Sequence, residues 1–275
     1  MVKLRQEDLK EALTRPKAIH EILEEQINIA LHEHRRANID LFLSGISAGL
    51  EIGFSVFSMG VMYTLFSGEI SESALKFLMA ASYSLGFIFV VIGRSELFTE
   101  HTTLAVLPVL NRSASVWSLL ILWALIYLGN ITGGAMFSLI LAKLPVALEV
   151  IDPDAFIKIA ENLIHFEWHV ILGSGLLAGW LMGLLAWLVI SSQDTISRIL
   201  IVIFITTVIG IGAPHHSIVG SIEVVTAMIV KGSEIGIGDY FHFQLWTTLG
   251  NIIGGVVFVA LVKFSHSKPT NKEQK

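Results

Sequence analysis

A chain of 275 residues that is 53% hydrophobic and only 15% charged is too apolar for an ordinary soluble domain, in which charged residues run at about 25%. A net charge of −5 without a basic cluster argues against a nucleic-acid partner. The absence of cysteine excludes disulfides, thiolate-bound zinc and iron–sulfur clusters, and no cofactor or metal is expected.

Residues 1–36 are densely charged, lack the apolar run of a cleavable signal, and set Ile19, Ile22, Leu23, Ile27 and Ala30 at roughly helical spacing. This predicts an amphipathic segment that does not span, ahead of a membrane domain over 37–264. The first span is predicted from Ile39 to Leu65, ending in the acidic turn Gly68–Glu72. The apolar run Ala74–Ile92 stops at Gly93-Arg94-Ser95-Glu96, and a short piece, Leu97–Leu110, follows. Ser115–Leu144 is the third span, and 145–166 reads as an acidic, partly amphipathic loop. The second half keeps the order: Trp168–Ile190 spans, Ile196–Ile211 breaks at Gly212-Ala213-Pro214-His215-His216, Ser217–Val230 is short, and Tyr240–Phe264 spans. Residues 265–275 form a polar, Lys-rich tail.

The two halves, about 37–144 and 168–264, are related. Residues 128–137 (Leu-Gly-Asn-Ile-Thr-Gly-Gly-Ala-Met-Phe) and 249–258 (Leu-Gly-Asn-Ile-Ile-Gly-Gly-Val-Val-Phe) agree at seven of ten positions. Ser44–Gly49 has a fainter echo in Ser174–Gly179. Three spans per half imply that the second half enters the membrane upside down, so an all-α polytopic protein is expected, with six transmembrane helices in an inverted 3+3 repeat. The basic residues Lys3, Arg5, Lys10, Arg15, Lys17, Arg35, Arg36, Arg112 and Arg198 fall on the side of both termini, while Glu69, Glu72, Glu149, Asp152 and Asp154 fall opposite. The bias of Lys and Arg toward the cytoplasm then predicts cytoplasmic termini in an inner membrane.

Backbone groups freed by a helix break at membrane depth must find partners in protein or in a water-lined cavity, so two matching breaks mark the expected substrate path. Adjacent His215 and His216 cannot easily face one pore together, and one pore residue plus one structural residue is expected. Thr99 is the hydroxyl expected opposite His216. Arg94 with Glu96 or Glu100 reads as a local salt-bridge cluster, and Glu51 and Glu223 read by default as interhelical or intersubunit hydrogen-bonding groups.

Ser84-Leu85-Gly86, Glu96-Leu97-Phe98-Thr99, Tyr127-Leu128-Gly129-Asn130, His216-Ser217-Ile218 and Gly250–Gly255 occur in an order that resembles the formate/nitrite transporter family. The resemblance implies an aquaporin-like protomer in a homopentamer, each with its own lipid-embedded pore for a small monovalent anion or its neutral acid. It implies that His216 is the central histidine and Thr99 its partner. Leu97, Phe98, Tyr83, Phe87 and Ile209 fall at constriction positions, and Asn130 and Asn251 match paired asparagines. His215, Arg94, Asn130 and Asn251 are then the polar residues supporting the pore. Four features depart from the pattern: His215 stands where an acidic residue is usual, Leu163 (with Lys158 nearby) stands at a lysine position, Tyr83 and Phe87 are bulkier or more polar than usual, and Arg94 adds a charge to the first loop. The expected mechanism is proton-assisted passage with His216 supplying the proton. An aquaporin-like channel for water or small neutral solutes is the alternative, weakened by the lack of paired Asn-Pro-Ala loops. An enzyme is not expected, because Gly173-Ser174-Gly175 has a repeat partner better explained by packing.

Overall fold

The computed structural model describes residues 15–230 and 232–267. The expected cytoplasmic charges at Lys3, Arg5 and Lys10, and the tail from 268 onward, lie outside the described residues. Among the described residues all regular structure is helical. In chain order the helices are α1 (Ile19–Arg35), α2 (Asn38–Phe66), α3 (Glu72–Gly93), α4 (Phe98–Leu104), α5 (Leu107–Leu110), α6 (Val116–Leu141) and α7 (Leu144–Ala147). They continue with α8 (Pro153–Ile164), α9 (Trp168–Ser191), α10 (Thr195–Gly212), α11 (Ser217–Ile229), α12 (Ile237–Ile253) and α13 (Val262–His266). A wide π-helical stretch, Gly254–Leu261, joins the last two into one rod.

Six of these elements are long and apolar enough to cross a bilayer, from the 18 residues of α10 to the 32 of Val116–Ala147. At 1.5 Å per residue, even 18 residues reach about 27 Å. Polar caps fix where several of them begin. Ser71, Ser115 and Asp194 accept backbone N–H bonds from Ala74, Ser118 and Ser197, satisfying donors that the first turn leaves free. The faces away from the protein carry Phe77, Phe89, Trp117, Leu128 and Phe204, all exposed, as a surface facing hydrocarbon requires.

The expected loop at 145–166 is instead mostly helix. Asp152 caps α8, Pro153 occupies its first position, and Ala155, Phe156, Ile159, Ala160, Leu163 and Ile164 form its buried face against α11 and the ends of α2 and α12. The apolar positions recur at helical spacing, and that period prevails over the acidic character of the segment.

The repeats explain the core. The Ser44–Gly49 face of α2 lies along Gly129–Gly134 of α6, and Ser174–Gly179 of α9 lies along Gly250–Gly255. A Cβ on Gly49 would sit 2.3 Å from the Asn130 carbonyl oxygen, and one on Gly179 would sit 2.1 Å from that of Asn251. The two sequence echoes are thus the two sides of one contact, made once in each half, where backbones meet directly.

Candidate functional site

Each half holds one interrupted helix. α3 ends at Arg94 (φ 60°) and α10 ends at Ala213 (φ 49°), both in the left-handed region, which turns the chain sharply without glycine. The chain then runs extended for a few residues before α4 and α11 start.

One asparagine fastens each break. Asn130 Oδ1 accepts the Phe98 N–H at 2.8 Å, while its Nδ2 donates to the carbonyls of Gly45 (2.9 Å) and Glu96 (2.8 Å). Asn251 repeats this with Ser217 N–H (2.9 Å), Gly175 O (2.8 Å) and His215 O (3.0 Å). Ser44 Oγ takes the Glu96 N–H and Ser174 Oγ takes the His215 N–H, at 3.2 and 3.0 Å. The backbone groups freed by breaking a helix inside the membrane therefore find partners in protein. Ser44 and Ser174 were visible in the sequence as part of the repeat, but their spacing alone does not separate a clamp from a packing residue.

The fastened loops bring Thr99 and His216 together. Thr99 Oγ1 lies 2.9 Å from His216 Nε2, and both residues are buried. His216 is also the N-cap of α11, with Nδ1 accepting the Val219 N–H at 3.3 Å. That cap fixes the tautomer: Nε2 carries the hydrogen and donates to Thr99, whose own hydroxyl proton has no acceptor among the described residues. The expectation that His216 supplies a proton fits this arrangement poorly. Taking up a second proton at Nδ1 would displace the Val219 N–H.

Phe87 stands edge-on to the imidazole, ring centroids 5.4 Å apart, and Tyr83 follows it at 5.1 Å. Phe98 packs against Tyr127 at 5.0 Å. Leu97, Phe98, Phe87, Tyr83 and Ile209 are all buried, and Tyr83 and Ile209 line a cavity together with His216. A cavity of about 450 Å³ opens from the α8 side and ends at Tyr83, Ile209 and His216, with Glu223 in its wall. Lys76, Glu72 and Lys158 line it as well, the last bonded to Glu161 at 2.8 Å.

His215 turns away from Thr99. Its Nδ1 takes the Ser174 hydroxyl at 2.7 Å and its Nε2 donates to the Leu163 carbonyl at 2.9 Å, which clips the second break to the end of α8. Two departures noted in the sequence, His215 and Leu163, are therefore one contact.

The expected pairing of Arg94 with Glu96 or Glu100 does not form. Arg94 is exposed, and Glu96 is shared by Arg36 at 2.9 Å and by His101. Arg36, at the corner between α1 and α2, also holds Glu33 at 2.8 Å. The charge on the first break is thus balanced from the N-terminal helix, 60 residues away in sequence. Glu51 accepts hydrogen bonds from Ser47 of its own helix and from Ser95 of the first break, at 2.8 and 3.0 Å, which ties α2 to that break.

Six apolar helices, two of them followed by an interruption, and a buried polar pair where the interruptions meet define an integral membrane protein of the channel or transporter class. A model of the family "Formate/nitrite transporter" matches residues 20–265. The chain belongs to this family, whose members are transporters and not enzymes. It is 31% identical over 255 residues to Inner membrane protein YfdC of Escherichia coli (strain K12), covering 88% of this chain and 79% of that protein. It is 27% identical over 230 residues to Nitrite transporter NirC of Salmonella typhimurium, covering 81% of each. Among solved structures, an FNT family ion channel superposes with a TM-score of 0.79 at 21% identity, covering 90% of this chain and 99% of that one. A pentameric formate channel with formate bound gives 0.73 at 22%, covering 83% and 97%.

Proposed function

We propose that the protein carries small monovalent weak acids, of the formate or nitrite kind, across the inner membrane in their neutral form. The observation that carries this reading is the buried Thr99–His216 pair, whose histidine lines the cavity. A bare anion is costly to move between Leu97, Phe98, Phe87 and Ile209, whereas the neutral acid is not. The neutral imidazole accepts from the backbone and donates to Thr99, which leaves the threonine hydroxyl to donate to an oxygen of the passing acid. Arg94 is no part of this pore; His215, Asn130 and Asn251 hold its loops.

The cavity side is the outer side in this account, and α1 with both termini lies in the cytoplasm, consistent with the acidic and basic bias of the loops. The protein works as a homopentamer of inverted-repeat protomers, each with its own pore. An apolar ridge on α10, formed by Ile196, Leu200, Phe204, Val208 and Ile211, is available for contact with a neighbouring copy or with lipid. NirC's name and the formate-bound channel point to the same substrate class.

The test is uptake of formate and nitrite into proteoliposomes by the natural protein, Thr99→Val and His216→Phe. Loss of flux in both variants, with oligomer size unchanged, is expected. Natural rates in both variants would show this reading to be wrong, and osmotic swelling without acid uptake would favour the water-channel alternative.

A further inference from the structure

Among the described residues Glu223 is the one buried carboxyl lining this anion path, and the transport reading above does not use it. The residue is 7% exposed, lines the same cavity as His216, and has no hydrogen-bond or ion-pair partner among the described residues. It lies on α11 seven residues beyond His216, two turns up the same face and about 10 Å along the axis. The other ionisable groups lining the cavity are Tyr63 from α2, Glu72, Lys76 and Tyr83 from α3, Lys158 from α8, and His216 itself. From α12, Tyr240 bonds Ser221 instead. Lys158 is held by Glu161, and no charged group of α4 or α6 lines the cavity. An ionised, unpaired carboxylate here would repel the anion the pore is proposed to accept, whereas a protonated one is a proton donor in its path.

We infer that Glu223 is the residue that hands a proton to the incoming anion in the vestibule, before the neutral acid moves on to Thr99 and His216. This rests on the weak-acid reading above. The O–H bond of the Glu223 carboxyl breaks and an O–H bond forms on the anion. The carboxylate left behind recovers a proton from hydronium entering the cavity, so one proton accompanies each anion. The capped Nδ1 of His216 makes the histidine a poor source of that proton, and the cavity delivers the anion past Glu223 first.

The test is the slope of formate uptake against pH, between about pH 5 and 8, for natural protein, Glu223→Gln and Glu223→Asp in proteoliposomes, with protein-free vesicles as background. Without the donor, flux follows the neutral acid already present in bulk and falls about tenfold per pH unit. The natural protein and Glu223→Asp are expected to fall less steeply over part of the range. Glu223→Met, of similar volume and apolar, is the second variant if the Gln variant does not assemble, and the same steep slope is expected. Equal slopes in natural protein and Gln variant, or a faster Gln variant, would overturn the assignment while leaving the transport reading intact. Failure of both Gln and Met variants to assemble would make Glu223 a structural residue and overturn it too. No formate or nitrite flux by the natural protein above background would overturn both.

Discussion

Replacing Asn251 by alanine removes three buried hydrogen bonds of 2.8, 2.9 and 3.0 Å and frees the Ser217 N–H and the carbonyls of Gly175 and His215. Interhelical hydrogen bonds in membranes are worth about 0.6 kcal/mol on average and about 1.7 at most, so three of them give a loss of roughly 2–5 kcal/mol. At about 2–4 °C per kcal/mol for a chain of this size, the unfolding midpoint of the purified protein in detergent should drop by about 4–20 °C. Asn130→Ala removes three bonds of 2.8, 2.9 and 2.8 Å in the other half and should cost about as much. Asn251→Asp keeps the acceptor for Ser217 but sets a carboxylate against two carbonyls, and should be no better than alanine. Thermal unfolding of the four proteins in one detergent decides this. A midpoint within roughly 1 °C of the natural protein for Asn251→Ala would refute the idea that the asparagine holds the broken helix.

Two further outcomes follow from the packing and the charges. A Cβ at Gly179 meets Asn251 backbone, whereas one at Gly173 on the same helix meets nothing within 4 Å. Gly179→Ala should therefore lose folded oligomer on size exclusion, while Gly173→Ala should be neutral or gain up to about 1 kcal/mol of helix propensity. Arg36→Gln leaves Glu33 and Glu96 without their cation, at a cost of about 1–2 kcal/mol for a partly exposed pair. Burial already pushes the Glu33 carboxyl above its ordinary 4.5, the Glu96 charge adds to this, and the Arg36 hydrogen bond opposes it. A raised carboxyl stabilises the docked α1 at acid pH and loses that contribution as pH rises through its folded value. The melting difference between natural protein and Arg36→Gln should thus be larger at pH 8 than at pH 5.

Much of this was legible because hydrophobic length and break residues are local signals. Gly93-Arg94 and Gly212-Ala213-Pro214 announce the two interruptions, and the repeated Gly-Asn-Ile marks the clamps beside them. The partners of a charge are not local. Arg94 reads as the natural mate of Glu96 two residues away, yet its left-handed turn leaves it exposed, and Arg36 arrives from another helix. The state of His216 was equally hidden, since it depends on the Val219 N–H that its Nδ1 accepts, a bond that exists only once α11 has formed. The role of Leu163 in holding His215 runs through its carbonyl oxygen, which residue identity does not reveal.

The account turns on neutral-acid passage, and counting protons tests it most directly. Formate or nitrite uptake by proteoliposomes containing the natural protein would be followed together with external pH, with and without a membrane potential clamped by a potassium ionophore. One proton entering per anion, at a rate indifferent to the potential, is the predicted result. Uptake that follows the potential and moves no proton would mean that the bare anion crosses, and would contradict the account.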